Sequence, residues 1–213
     1  MITTSRIISD KKYVVSCAVA LKPQADWLLE LLEKIEQTRG SGFLEDGATV
    51  QVGWSFVAIH RDGDTMKILE PNFSGDPFNE LTENLTCTLS VQAEQNAVLA
   101  AFGLNGTPVG FQDKVILSKG CLEKRHIYLE RKTPQKGDSG WYIGEVDQPQ
   151  EELQAVYVYQ LLRMRPALLK VLALPAGYVV VVDSSRVEAI LNEQNIPVEL
   201  CRCNCPAILF LKK

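Results

Sequence analysis

Three carboxylates, Asp138, Glu145 and Asp147, fall within ten residues of one another, with the hydroxyl of Ser139 beside the first. Carboxylates do general acid–base work when burial raises the pKa of one above its usual range, and a cleft holding such a group would mark an enzyme. Neither of the two histidines, His60 and His126, lies near these residues in sequence as a partner base. The other residues with ligand chemistry are Cys201, Cys203 and Cys205. Their alternate spacing puts all three thiols on one face of an extended segment. Zinc sites usually pair cysteines two to four residues apart and draw a second pair from elsewhere, so this run is read as a strand with unreactive thiols and no metal.

The stretch that carries the carboxylates runs Lys136-Gly137-Asp138-Ser139-Gly140-Trp141-Tyr142-Ile143-Gly144-Glu145. Gly137, Gly140 and Gly144 supply turn geometry and close approach, and are assigned to a structural loop. Asp138 and Ser139 are side chains that fold back onto their own backbone amides in turns. One reading is therefore a structural turn leading into a strand whose Trp141 enters the core. The other is an exposed polar loop beside an aromatic anchor, with Asp138, Ser139, Trp141 and Glu145 as partner-binding residues. Burial is expected for the Trp141 ring and exposure for the Asp138 and Glu145 carboxylates. Gly137-Asp138-Ser139-Gly140 echoes the nucleophile loop of trypsin-like proteases, but no histidine and buried carboxylate stand in a matching context, and Trp141 replaces the expected glycine. A phosphate cradle is excluded as well, because no Lys-Ser/Thr pair and no strand–glycine–helix order follow.

The elements that must position this stretch are legible from periodicity. Tyr13–Leu21 reads as a first strand. Trp27, Leu28, Leu31, Leu32 and Ile35 recur at helical spacing over Pro23–Gln37, with Trp27 as a core anchor, and Gly40 and Gly42 end the helix. Thr49–His60 alternates strictly and reads as one half-buried strand, turned at Arg61-Asp62-Gly63-Asp64 into a return strand Thr65–Glu70. A second helix, whole or in two pieces, is expected over Asn79–Phe102. Asn105–Gly110 is the best linker, so residues 1–112 and 113–213 are read as two α+β regions or one continuous domain. Strands follow at Lys114–Ser118, His126–Lys132 and Trp141–Val146. Pro149-Gln150-Glu151-Glu152 opens a third helix over Glu151–Arg165, and strands are expected at Tyr178–Asp183, Val187–Leu191 and Ile208–Leu211. The fold class is α+β, mostly antiparallel sheet with about three packed helices.

Composition narrows function by exclusion. The chain has 213 residues, 46% of them hydrophobic, with a net charge of −4, and its basic residues are scattered. Phosphate binding needs a concentrated basic surface, so nucleic acid is not an expected partner. No apolar run is long enough to span a bilayer, and Met1–Arg6 lacks the order of a signal peptide. The expectation is a soluble cytoplasmic protein with six reduced cysteines and no cofactor.

Five phrases occur together in one order: Thr49-Val50-Gln51-Val52-Gly53-Trp54, Leu69-Glu70-Pro71-Asn72-Phe73, Asp138-Ser139-Gly140-Trp141-Tyr142-Ile143-Gly144, Arg165-Pro166, and Leu172-Ala173-Leu174-Pro175-Ala176-Gly177. That order resembles the bacterial immunity protein thirty-three family, formerly a domain of unknown function, in which the Asp-Ser-Gly-Trp element is the best-known motif. The cysteine-rich tail and the basic stretch Glu123-Lys124-Arg125 depart from the pattern. The resemblance implies a non-catalytic inhibitor that binds and neutralises a cognate toxin of a bacterial polymorphic-toxin system. A binding module for another protein or small ligand, and less so a hydrolase-like enzyme built on Asp138, Glu145 and Asp147, are the alternatives.

Overall fold

The computed structural model describes residues 1–148 and 152–200. The chain divides into two compact units, Met1–Ala93 and Glu94–Lys213. The stretch Asn105–Gly110, expected as a linker, has no regular secondary structure and belongs to the second unit.

In the first unit, strands β1 (Ile2–Ile8), β2 (Lys11–Cys17), β3 (Thr49–Val52), β4 (Ser55–Asp62) and β5 (Thr65–Pro71) form a sheet in the order β1-β2-β5-β4-β3. A two-residue strand, β6 (Leu81–Thr82), pairs with β5. Only β2 and β5 run parallel; the remaining pairs are antiparallel. Helix α1 (Lys22–Arg39) packs against β1 and β2. Ala25, Leu28, Leu29 and Leu32 form its buried stripe at i, i+3, i+4 and i+7. Glu36, on the same stripe, accepts the N–H groups of Gly42 (2.6 Å) and Leu44 (2.9 Å) and so closes the chain beyond the helix.

Three expectations for this half need correction. Trp27 is 41% exposed rather than a core anchor, because the stripe that meets the sheet runs through Leu28 and Leu29 and leaves Trp27 to one side. Thr49–His60 is two strands, not one. The chain reverses at Gly53-Trp54, with Val52 opposite Ser55 and Gly53 at φ +55°, the positive angle that a two-residue hairpin loop demands. The strand that starts near Tyr13 ends at Cys17 and gives way to a 3-10 turn over Val19–Leu21. β1 carried no apolar run in sequence; its inward face is Ile2, Thr4, Arg6 and Ile8, where Arg6 pairs with Glu30 and Glu33 of α1.

Helix α2 (Thr86–Phe102) starts later than the expected Asn79, since β6 precedes it. Glu70, buried at the end of β5, caps it by accepting the N–H groups of Thr88 (2.6 Å) and Cys87 (3.2 Å). Trp54 lies 4.8 Å from Phe73 in a stacked pair, and its indole N–H reaches the Thr88 carbonyl at 3.3 Å.

The second unit carries β7 (Lys114–Ser118), β8 (His126–Arg131), β9 (Asp138–Glu145), β10 (Leu153–Tyr157), β11 (Val179–Asp183) and β12 (Arg186–Leu191) in the order β10-β7-β9-β8-β11-β12. β7 and β9 are the one parallel pair among these strands. The Val run of β11 lies between β8 and β12. The helix expected over Glu151–Arg165 is corrected: Leu153–Tyr157 is a strand on the edge of β7, and among the described residues of that range only α3 (Leu161–Met164) is α-helical, flanked by 3-10 turns at Val158–Gln160 and Pro166–Val171. Val156 and Tyr157 favour an extended backbone once an open sheet edge is available. Pro166 drives Arg165 out of the helical region, to φ −159°. The fold class is α+β with two mostly antiparallel sheets, as expected. Ile208–Leu211 and Cys201, Cys203 and Cys205 lie outside the described residues; Cys17, Cys87 and Cys121 are free thiols.

Candidate functional site

Strand β9 is held from both sides of its sheet, and its two faces do different work. Gly137 turns the chain at φ +76°, and Asp138 Oδ1 accepts the Gly140 N–H at 2.9 Å, an Asx turn built from adjacent residues. Ser139 is buried. Its Oγ donates to the Lys114 carbonyl (2.7 Å) and accepts the Trp141 N–H (3.2 Å), which ties β9 to β7. Gly140 also takes φ +76°, and a Cβ there would run into the Lys132 carbonyl oxygen, so no other residue fits. Trp141 is buried as expected, and its indole N–H donates to the Leu172 carbonyl at 2.9 Å.

Beside Trp141 sits Arg131, which composition alone would place at the surface. It is 1% exposed, and its guanidinium donates to the carbonyls of Ser139 (3.3 Å), Thr107 (2.8 Å) and Leu174. Its backbone N–H donates to Tyr178 and its carbonyl accepts from Gly177. Burial lowers its pKa to about 10, partly offset by the charge of Asp113, so it stays cationic at neutral pH. Arg165 repeats the device. Its guanidinium donates to the carbonyls of Leu122, Lys124, Arg125 and Ser184. Ser184 occupies the left-handed region at φ +57°, and Arg165 fixes that turn between β11 and β12. Among the described residues neither arginine bonds a carboxylate, so both act as backbone clasps. Two of the three resemblance phrases of this unit thus meet, Asp138–Gly144 and Leu172–Gly177 around Arg131; Arg165-Pro166 makes a separate clasp on Leu122, Lys124, Arg125 and Ser184.

The period of two along a strand sends Tyr142 to the opposite face from Trp141. There Tyr142 lies 5.8 Å from Tyr128, and its hydroxyl shares a 2.6 Å hydrogen bond with Ser118. A Cβ at Gly144 would stand 2.8 Å from the Tyr142 hydroxyl and 3.0 Å from Tyr128, so this glycine is the floor over which both rings lie. Tyr128, Tyr142, Arg131 and Arg165 are not among the site residues that the sequence predicts. Alternation marks Tyr142, since a strand that buries Trp141 must turn it outward; Arg165 is marked only by the Arg165-Pro166 phrase, and nothing local marks Arg131.

Asp138 and Glu145 are both part-exposed and stand at opposite ends of β9, about 23 Å apart at the usual rise per residue. Glu145 pairs with Lys124 at 3.1 Å, and Asp147 is exposed in the turn beyond. The structure therefore does not bring Asp138 together with Glu145 and Asp147 as an acid–base set. One group has metal-ligand chemistry among the described residues: His126, Asp183 and Glu188, with ligand atoms within 4.8 Å of one another. Arg125 holds both Asp183 oxygens at 2.7 and 2.9 Å, and its hydrogen bonds hold that carboxyl well below the usual range. The acid is committed to a guanidinium, which would repel a cation.

Residues 94–193 match the family model of the Imm33-like domain. The match begins where the second unit begins and takes in Arg131, all of β9, Arg165 and the Leu172–Gly177 segment. No curated protein matches the chain, and no solved structure matches it. Among the described residues no helix is long and apolar enough to cross a membrane.

Proposed function

We propose that this is an immunity-type protein of the bacterial cytoplasm that binds a cognate toxin and neutralises it without chemistry of its own. The match of residues 94–193 to the Imm33-like domain carries the reading. The construction of the second sheet supports it. Ser139 and Trp141 spend their polar groups, and Arg131 its Nε and Nη1, on backbone groups of neighbouring segments, which makes a preorganised frame. Within that frame Ser139 and Trp141 position, while Asp138 and Glu145 at the strand ends and Tyr128 and Tyr142 on the outer face meet the toxin. Tyrosines joined to a hydrogen-bonding neighbour suit a contact surface, since they combine apolar area with a polar tip.

The test co-expresses the protein with the toxin encoded beside it in a sensitive host. Rescue together with co-purification is the expected result. Rescue without a complex would point to an enzyme that reverses the damage, and no rescue by a folded, well-expressed protein would sink the reading for that toxin. The Tyr128→Ser/Tyr142→Ser double variant should lose rescue while keeping its fold.

A further inference from the structure

The chain's negative charge is concentrated in its first unit. Met1–Ala93 holds 13 Asp and Glu against eight Lys and Arg, a net of −5, whereas the remainder holds 13 against 14, a net of +1. Within the first unit the imbalance narrows further. Residues 45–83 contain eight acids and only Arg61 and Lys67 as cations. This unit lies outside the residues that match the Imm33-like domain.

The same stretch builds a groove of about 460 Å³. Phe56 and Leu69, on β4 and β5, line it together with Phe78 and Leu81 from the segment before and within β6. Phe78 and Leu81 are 46% and 45% exposed, an unusual pairing of two large apolar side chains beside one concavity. Asp46 and Glu80 bring carboxylates to the lining. Both are fixed: Asp46 accepts the Arg61 N–H at 2.8 Å and faces His60 at 3.5 Å, and Glu80 accepts Asn72 Nδ2 at 2.8 Å. Thr49 of β3 also lines the groove, and β3 ends its sheet, so among the described residues one row of its backbone groups faces no strand.

We infer that this groove docks an extended basic segment of a partner protein, with an apolar side chain seated among Phe56, Leu69, Phe78 and Leu81 and Lys or Arg side chains at Asp46 and Glu80. An extended segment can add its backbone to the open edge of β3, where main-chain bonds give affinity and the groove gives selectivity. The surrounding excess of acid favours basic partners and speeds their encounter. This site belongs to a different unit from the immunity match and does not depend on that reading.

The test needs no toxin. The full-length protein is titrated into two fluorescein-labelled extended peptides, each with a central leucine–phenylalanine pair, one flanked by lysines and the other by glutamates. Anisotropy should show the lysine peptide binding at least about tenfold more tightly at low salt, with the difference shrinking as sodium chloride screens the charges. The Asp46→Asn/Glu80→Gln variant keeps the hydrogen-bond acceptors and should remove most of that preference. Leu81→Asn should weaken both peptides. Equal binding of the two peptides, or indifference of the lysine peptide to both variants, would overturn the proposal. Concentration-dependent dimerisation in sedimentation that Leu81→Asn abolishes would also overturn it, by giving the groove to a second copy of the chain. Toxin rescue is read separately, so loss of either result leaves the other interpretable.

Discussion

The guanidinium carbon of Arg131 lies 5.7 Å from the centre of the Trp141 ring, and both side chains are 1% exposed. A cation over an indole face is attracted by the ring quadrupole, and the attraction grows when water is excluded. The two residues also divide the Leu172–Leu174 carbonyls between them, Trp141 taking the first and Arg131 the last. One pair of side chains thus anchors the loop that precedes β11 to the two central strands β8 and β9.

Trp141→Ala should destabilise the protein by roughly 3–5 kcal/mol, the usual cost of emptying a buried tryptophan site. Trp141→Phe keeps most of the volume and loses the bond to Leu172, so it should cost less. Thermal melts of the two variants give the order. A Trp141→Ala protein that melts with the wild type would mean that the ring is not part of the core.

Arg131→Lys should behave almost as badly as Arg131→Met. A lysine has the charge but not the planar fork that serves the Ser139, Thr107 and Leu174 carbonyls at once. Each buried carbonyl left without a donor costs about 1–3 kcal/mol, so a loss of about 2–4 kcal/mol is expected by urea denaturation. Full stability of the lysine variant would show that charge alone is what the site needs.

Stability should fall as pH rises from about 4.5 to about 7 through one buried group. Burial raises the Glu70 carboxyl to about 7, against the bonds from Thr88 and Cys87 that favour its anion. Between those values the unfolded chain has lost this proton and the folded chain keeps it. The stabilisation is therefore complete below the unfolded pKa and is gone above about pH 7. A shift of this size corresponds to about 3 kcal/mol. Denaturant titrations of wild type and Glu70→Gln at pH 5 and pH 8 isolate the effect. The variant should lack the decline, and parallel pH profiles would contradict the assignment.

Gly137 and Gly140 share φ +76° but differ in surroundings. A Cβ at Gly137 meets nothing within 4 Å, so Gly137→Ala should cost only the left-handed backbone penalty of about 1–2 kcal/mol. At Gly140 the same change also strikes the backbone of Lys132, which cannot swing aside because its N–H donates to the Gly140 carbonyl. Gly140→Ala should therefore be clearly the worse variant in a melt, and equal losses would refute the contact.

Much of the local structure was legible in the chain. The helical spacing through Leu28 and Leu32, the Asp62-Gly63 turn, the Val run of β11 and the glycines flanking Trp141 each specify geometry within a few residues, where propensity and periodicity act. The misread elements have one cause. Gly53-Trp54 sits inside a perfect alternation, and a hairpin preserves alternation on each arm, so only pairing of β3 with β4 distinguishes it from a single strand. Leu153–Tyr157 satisfies helical spacing and strand propensity alike, and the open edge of β7 chose the strand. Arg131 and Arg165 look like surface residues in any window, because the carbonyls that accept from them come from segments up to 43 residues away. The sequence by itself determined the turn at Asp62-Gly63, the inward placement of Leu28, Leu32 and Trp141, and the family pattern the second half follows. Tertiary structure alone decided which carbonyls receive the buried guanidinium groups, since those backbone groups come within hydrogen-bonding distance only in the closed sheet.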